Sequence, residues 1–411
     1  METSQFDVVV VGGGAAGFFA AINLAELRPD LSIAILEKSK EVLQKVRISG
    51  GGRCNVTHAE FDPRELASYY PRGEKELLGP FHRFMTGDTI EWFDQRGVAL
   101  KIEDDGRMFP ITDNSQTIID CFLEEVARKD IKVLTQQNLL DFEKESDHFL
   151  LKTQKQHFIA KRVVMGAGSS KKIWNLLSKK GHQIVPPVPS LFTFNINDTE
   201  LLALQGLSQP AEVQLLDKDG KNWLSQSGPV LITHWGLSGP GVLKLSAVGA
   251  RELNACDYNF KIKLNWLDPL QQEEVLNTLM ALRKDQPKSI MTTQNSFEIP
   301  KRLWRYLVDK AGINKEAVWA DQSNKSLSRL SKVLVSCSFQ VEGKSTFKEE
   351  FVTAGGVELS EINFKTFESK TIPGLHMAGE VINVDALTGG FNFQNAWTGG
   401  FIIAEAIAEA I

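Results

Sequence analysis

Val8-Val9-Val10-Val11 is an unbroken β-branched run, the pattern of a strand buried on both faces of a parallel sheet. A glycine-broken stretch follows, then the helix-forming residues Phe18 to Leu27, then a second apolar strand, Ile33 to Leu36, ending at Glu37. Further on, Ile118, Phe122 and Val126 recur at i, i+4 and i+8 and predict an amphipathic helix over Asn114 to Arg128. Ile131 to Leu134 reads as a strand. Phe149 to Lys152, Phe158 to Ala160 and Arg162 to Met165 predict a meander that ends at Gly166-Ala167-Gly168. Residues 1 to about 189 therefore alternate β and α, and Pro186-Pro187-Val188-Pro189 punctuates them.

From about 190 to 265 the pattern changes to short strands with turns at Asp219-Gly220 and Ser227-Gly228-Pro229. Asp268-Pro269 offers an N-cap acid followed by proline, and helical patterning runs from there to about 312. Strand character returns between Val333 and Val352, and from Phe351 on the nucleotide-binding pattern resumes. The fold class expected is α/β: a discontinuous cofactor domain split by one insertion that combines a small β-barrel and helices. Its boundaries read as 1–189 and 345–411 for the cofactor domain and 190–344 for the insertion. Within the insertion, barrel strands are expected at about 190–265 and 333–344, and helices at about 268–330.

Composition narrows the class. At 411 residues, 42% hydrophobic and 24% charged, the chain is ordinary for a globular protein of two to three domains. A net charge of −5 offers no general attraction to nucleic acid or anionic membrane, so neither is expected as a partner. Cys54, Cys121, Cys256 and Cys337 form no C-x-x-C, which fits a reducing, cytoplasmic setting and gives no structural metal site. Val8 to Ala25 is uncharged for 18 residues, but three glycines and Asn23 interrupt it and no basic residue precedes it, against a membrane span or signal.

The chemistry begins in the opening segment. Gly12-Gly13-Gly14-Ala15-Ala16-Gly17 reads G-x-G-x-x-G, and Glu37 follows Gly17 by 20 positions, the span of an acid that accepts from ribose hydroxyls. Gly12 permits the tight turn, Gly14 lets backbone approach a pyrophosphate and Gly17 lets helix and strand pack closely. Ten residues after Glu37 comes Arg47-Ile48-Ser49-Gly50-Gly51-Gly52-Arg53-Cys54-Asn55-Val56-Thr57, where glycines between two arginines suit phosphate or a planar ring. A third segment, Gly374 to Glu380, runs an apolar strand into Gly-Glu, and Gly389-Gly390 then starts a final helix with a stripe of Ala404, Ile407, Ala408 and Ile411. Such an N-terminus near the N1–C2=O edge of a flavin favours the anionic reduced ring. At about 1–2 kcal/mol this raises the two-electron potential by about 20–45 mV.

Together, Gly12 to Gly17, Arg47 to Thr57, Gly106-Arg107-Met108-Phe109-Pro110, Thr233-His234-Trp235-Gly236-Leu237-Ser238-Gly239-Pro240, Thr353-Ala354-Gly355-Gly356-Val357 and Ala378-Gly379-Glu380 resemble the BaiN-like (YhiN-like) family of NAD(P)/FAD-dependent flavoproteins, which includes aminoacetone-oxidase-like members. The resemblance spans almost the whole chain. It implies a glutathione-reductase-like FAD-binding Rossmann domain with an inserted domain combining a small β-barrel and helices, and non-covalent FAD with Gly12, Gly14, Ala15, Ala16 and Gly17 at the pyrophosphate and Glu37 with Lys38 at the adenosine ribose. Arg47, Gly52, Arg53, Cys54 and Asn55 would lie along the pyrophosphate, ribityl chain and ring. Backbone near Leu139 would meet the adenine, and Ala167 and Gly168 would close beneath the cofactor. Gly379-Glu380 would take a ribityl hydroxyl, and Gly390, Asn392 and Phe393 the pyrimidine end of the ring.

Two residues are candidates for catalysis. Cys54 lies near Arg47 and Arg53 but has no partner cysteine, which favours a packing or hydrogen-bonding role over a reactive thiol. His234, in the T-H-W-G segment, is either a structural histidine, the preferred reading, or a proton donor. Gly166-Ala167-Gly168-Ser169-Ser170 lacks the last glycine of a second fingerprint, so NADH or NADPH would dock transiently or another donor would serve. Ser225 to Ser227 read as a turn, not a nucleophile. The activity expected is FAD-dependent hydride exchange with a small organic substrate in the crevice beside the insertion, foremost reduction of an activated C=C bond such as that of an oxo-steroid or other enone. Flavin-dependent amine oxidation by O₂, tRNA modification and a sensing or structural flavoprotein are the alternatives. Lys171-Lys172 and Lys179-Lys180 form a modest basic patch that reads as a solvated helix face.

Overall fold

The computed structural model describes residues 2–293, 296–345 and 352–411. The chain divides into two compact units, one formed by residues 1–188 with 348–411 and the other by 189–347.

The first unit is built on β1 (Thr3–Val11), α1 (Ala15–Leu27) and β2 (Ile33–Leu36). Every residue of β2 and the last four of β1 are buried, as a strand covered on both faces requires. Five strands run parallel in the order Leu375–Met377, His157–Met165, β1, β2 and Lys132–Leu134. Chain order reverses at β1: later strands lie on both sides of it, which makes its carboxyl end the switch point of the sheet. Antiparallel additions extend this to nine strands. Helix α1 is apolar all round because it is covered by the sheet and by the C-terminal helix Phe391–Ala410, which packs closely along it.

In the second unit seven strands pair antiparallel in the order Cys337–Glu342, Asn259–Asn265, Ser208–Leu216, Asn222–Ile232, Gly236–Ser238, Thr193–Asn195 and Lys344–Ser345. The first and last of these are separated in sequence by Gly343 alone, so the sheet closes into a barrel. Helices Gln272–Asp285, Lys301–Lys310 and Asn324–Val335 share its core through Leu279, Trp304, Leu327 and Leu334.

Several local expectations are corrected. The prolines at 186, 187 and 189 lie inside a strand, Ile184–Ser190, tolerated because among the described residues it pairs with Val352–Val357 alone. Ser225 to Pro229 lie in mid-strand in Asn222–Ile232 and form no turn; Ser225 and Ser227 are exposed, and Gln226 between them is half-buried. Asp268 does not cap a helix: Gln271 does, donating its backbone N–H to Glu274 at 2.8 Å. Val333 to Val335 close a helix, and the barrel strand begins at Cys337. Part of that expected strand run, residues 346–351, falls outside the described residues. No described helix is long and apolar enough to cross a membrane.

One buried histidine makes stability depend on pH. His376 is 3% exposed, and its Nδ1 donates to the Thr366 carbonyl at 3.0 Å. Burial lowers its pKa below the ordinary histidine value, outweighing the favourable bond to Thr366 and the charge of Glu368, while Arg162 lowers it further. The folded chain thus resists a proton that the unfolded chain takes near pH 6.5. This contribution to stability is complete above that value and is lost as pH falls below it. The measured Tm of the wild type should therefore drop more steeply between pH 7 and pH 5 than that of His376→Gln.

Candidate cofactor site

Register places Met377, Met165, Val11, Leu36 and Leu134 in one row across the parallel strands. The next residues continue the ladder by one rung. Ala378 donates to Met165 (3.3 Å), Gly166 to Val11 (2.9 Å), Gly12 to Leu36 (2.8 Å) and Glu37 to Leu134 (2.9 Å). Segments separated by more than 300 residues thus emerge side by side at one edge, where open α/β sheets bind ligands.

The glycines at this edge divide the work. A Cβ on Gly12 would overlap the Gly166 carbonyl, and one on Gly17 would overlap the Gly12 carbonyl. A Cβ on Gly14 would meet nothing within 4 Å. Gly14 also caps α1, and no side chain accepts from that helix start, so Ala15, Ala16 and the following residues offer N–H groups and a partial positive charge to an anion.

Glu37 is turned back to this turn. Its Oε2 accepts from Gly13 N at 2.9 Å and its Oε1 from Ser39 N at 2.8 Å, which fixes the carboxylate and leaves further lone pairs for hydroxyl donors. Lys38 beside it is exposed. Leu139 lies two residues beyond Gln137, whose N–H donates to the Glu37 carbonyl at 2.8 Å.

The glycine-rich segment ends α2 (Gln44–Gly52), which kinks at Ser49. Gly50, Gly51 and Gly52 follow with φ of +58°, +68° and +85°, a left-handed run that only glycine adopts cheaply. Gly51 and Gly52 face open space, whereas Gly50 packs against Phe109. Arg47 donates to Gln116 at 2.8 Å. The guanidinium of Arg53 is held by Glu103 (2.5 Å) and Asp113 (3.4 Å) and stacks 3.9 Å above the Phe109 ring. Cys54 is fully buried with φ +63°, its N–H bonded to Ser49 O at 3.0 Å; burial pushes its thiol up to about 12, opposed by a bond from Ser49. The thiol is therefore protonated at neutral pH. Asn55 Oδ1 accepts from Met108 N at 3.3 Å.

Across this edge Ala167 follows Gly166, and Gly168 (φ +60°) stands next to the Glu380 carboxylate. Glu380 pairs with Lys45, whose Nζ also lies 3.4 Å from Ser169 Oγ. Gly379 approaches the Ala16 methyl, so the two segments meet. Gly390, with φ +95°, is the N-cap of helix Phe391–Ala410, and a side chain there would strike the Thr57 carbonyl and Asn55 Oδ1. Asn392 accepts from Ala386 N at 3.1 Å, and Phe393 stacks on Trp397 at 5.5 Å.

Three contributors carry no sequence periodicity and are found only from contacts. Gln394 Oε1 accepts from Thr57 (2.6 Å) and Thr89 (2.9 Å), and its Nε2 donates to Thr398 at 3.2 Å, all fully buried. Lys45 neutralises Glu380. His58 Nδ1 lies 3.1 Å from Gly389 O and its ring packs 4.5 Å from Phe391. His234, by contrast, belongs to the second unit, where it is exposed and its Nδ1 lies 2.9 Å from Gln205 Oε1.

Two glycines packed to contact, three glycines with open space and an uncapped helix start fit a dinucleotide lying over the sheet edge, and the class is that of an FAD-dependent oxidoreductase of Rossmann type. The chain belongs to the family described as HI0933-like protein Rossmann domain, whose model matches residues 6–406. It is 28% identical to the ribosomal RNA dihydrouridine synthase of Haemophilus influenzae, the match covering 98% of each chain. It is 26% identical to the 3-dehydro-bile acid delta(4,6)-reductase of Clostridium scindens, covering 97% of this chain and 98% of the other. Among solved structures, the 3-ketosteroid-delta4-(5alpha)-dehydrogenase of Rhodococcus jostii superposes with a TM-score of 0.53 at 12% identity, over 98% of this chain and 97% of that one; this likeness is one of fold.

Two substitutions separate packing from binding. Gly17→Ala should lower stability by about 2–4 kcal/mol through overlap with backbone, seen as a fall in Tm of the apoprotein. Gly14→Val, with room for its side chain, should leave apoprotein Tm nearly unchanged and abolish FAD retention in gel filtration. Gln394→Leu leaves two buried hydroxyls without an acceptor and should cost about 2–4 kcal/mol, measured by urea unfolding.

Proposed function

We propose that this enzyme reduces a carbon–carbon double bond conjugated to a carbonyl, that its substrate is a uracil of ribosomal RNA, and that NADH or NADPH is the electron source. The observation that carries this reading is that two relatives with different substrates match this chain end to end and share one change at the reacting bond. Making dihydrouridine adds two hydrogens across C5=C6 of uracil, conjugated to the C4 carbonyl. A delta(4,6)-reductase of a 3-oxo compound likewise saturates double bonds in conjugation with a carbonyl. Each double bond saturated takes up one hydride and one proton; in this enzyme the proposed donor, NADH or NADPH, gives up one hydride per bond and leaves as NAD⁺ or NADP⁺.

Bound FAD supplies hydride exchange with organic substrates. The chain's own part is binding and field. The uncapped start of α1 would hold the pyrophosphate, Glu37 the ribose and the open backbone at Gly51 and Gly52 further anionic or carbonyl oxygens. The start of helix Phe391–Ala410, at Gly390, carries about half a positive charge and favours negative charge placed near it. Gln394 fixes that helix start to Thr57 and Thr89, so its dipole needs no reorganisation. The buried thiol of Cys54 is a poor nucleophile and supports no covalent step.

Anaerobic holoenzyme should lose its visible flavin absorbance on mixing with NADH or NADPH, and nucleoside mass spectrometry of ribosomal RNA from a strain lacking the gene should show dihydrouridine after incubation. Bleaching with turnover of a steroid enone and no dihydrouridine would move the substrate to the small-molecule class. Absence of bleaching by either nicotinamide would remove it as donor.

A further inference from the structure

The two units carry charge of opposite sign. Residues 189–347 hold 18 Lys and Arg against 16 Asp and Glu, while the remainder holds 28 against 35. Within the second unit, helix Asn324–Val335 (Asn-Lys-Ser-Leu-Ser-Arg-Leu-Ser-Lys-Val-Leu-Val) contains no acid. Its Ser326, Leu327, Leu330, Ser331 and Leu334 are buried, which fixes the helix's rotation. Lys325, Arg329 and Lys332 recur at i, i+4 and i+7 on the opposite face; all three are exposed, and none makes an ion pair among the described residues. At the start of this helix Arg283 donates to Gln322 O (2.8 Å) and Asn324 Oδ1 (2.9 Å), adding a fourth cation.

We infer that this face is where the enzyme grips RNA through its phosphates. The inference rests on the RNA reading of the substrate and adds the surface that holds it. Three unneutralised cations spread over about 10 Å of helix match a polyanion whose charges recur every few ångström better than one isolated phosphate. A membrane surface fits less well, because an interfacial helix presents apolar residues beside its cations, and here the leucines are committed to the core. Surface ion pairs contribute little to stability, so cations left without partners are not explained as a stabilising device. Contact with phosphates positions RNA without reading its sequence.

The test uses full-length holoenzyme and ribosomal RNA transcribed in vitro, with affinity measured from 50 to 300 mM KCl. K325A/R329A/K332A should lower the slope of log affinity against log salt by about two to three and weaken binding at least tenfold at the lowest salt. Its flavin spectrum and its bleaching by the effective nicotinamide should match the wild type, and Arg329→Lys should keep the wild-type slope. An unchanged slope in the triple variant, with wild type still making dihydrouridine, overturns this surface and leaves the substrate reading standing. Wild type that neither binds nor modifies the RNA overturns both. Loss of binding to phosphatidylserine vesicles, with RNA binding unchanged, also overturns it.

Discussion

Four backbone bonds, from Ala378, Gly166, Gly12 and Glu37, carry the parallel ladder one rung past the strands. Those bonds hold the ends of the polypeptide in register, and the site depends on that register more than on any side chain. In a strand, a slip of one residue exchanges the two faces. Here it would also move Glu37 away from Gly13 and Glu380 away from Gly168. The constraint is enforced by backbone meeting backbone at Gly12 and Gly17, where a side chain would overlap main-chain atoms. Since strand Leu375–Met377 pairs with His157–Met165, residues 1–188 alone lack one wall of the site.

Charge at the site is arranged by burial and pairing. Arg53 is shared between Glu103 and Asp113 and rests on Phe109, so it acts on the glycine-rich loop as a brace. Beneath it Cys54 occupies the left-handed region, a conformation uncommon for a residue with a Cβ, and is held by packing and the bond to Ser49. The same burial that keeps its thiol protonated excludes the solvent a thiolate would need.

What was legible in the sequence follows from which physics is local. Val8 to Val11, Gly12 to Gly17, Ile33 to Glu37 and the helix starting after Gly390 could be read because strand burial, close packing and helix starts constrain neighbouring residues. The bracing of Arg53 could not, since Glu103 and Asp113 are 50 and 60 residues away. Nor could Gln394, whose partners Thr57 and Thr89 lie more than 300 residues back and which reads as one of several polar residues in its helix. The prolines at 186–189 misled for a related reason: proline excludes a central strand, and whether a strand is an edge is decided by its neighbours.

Whole-chain charge is likewise an average. The expectation of no nucleic-acid partner rested on the acidic balance and on the lack of a long Lys/Arg face; the net −5 combines a unit with seven more acids than bases and a unit with two more bases than acids. At physiological ionic strength fields decay over about 8 Å, so an approaching polyanion responds to the charges within that range and not to the total. A helix face with three cations and no acid of its own is attractive at that distance whatever the remainder carries. Net charge bounds solubility and long-range steering at low salt; the choice of partner is made by patches of the size of one helix face.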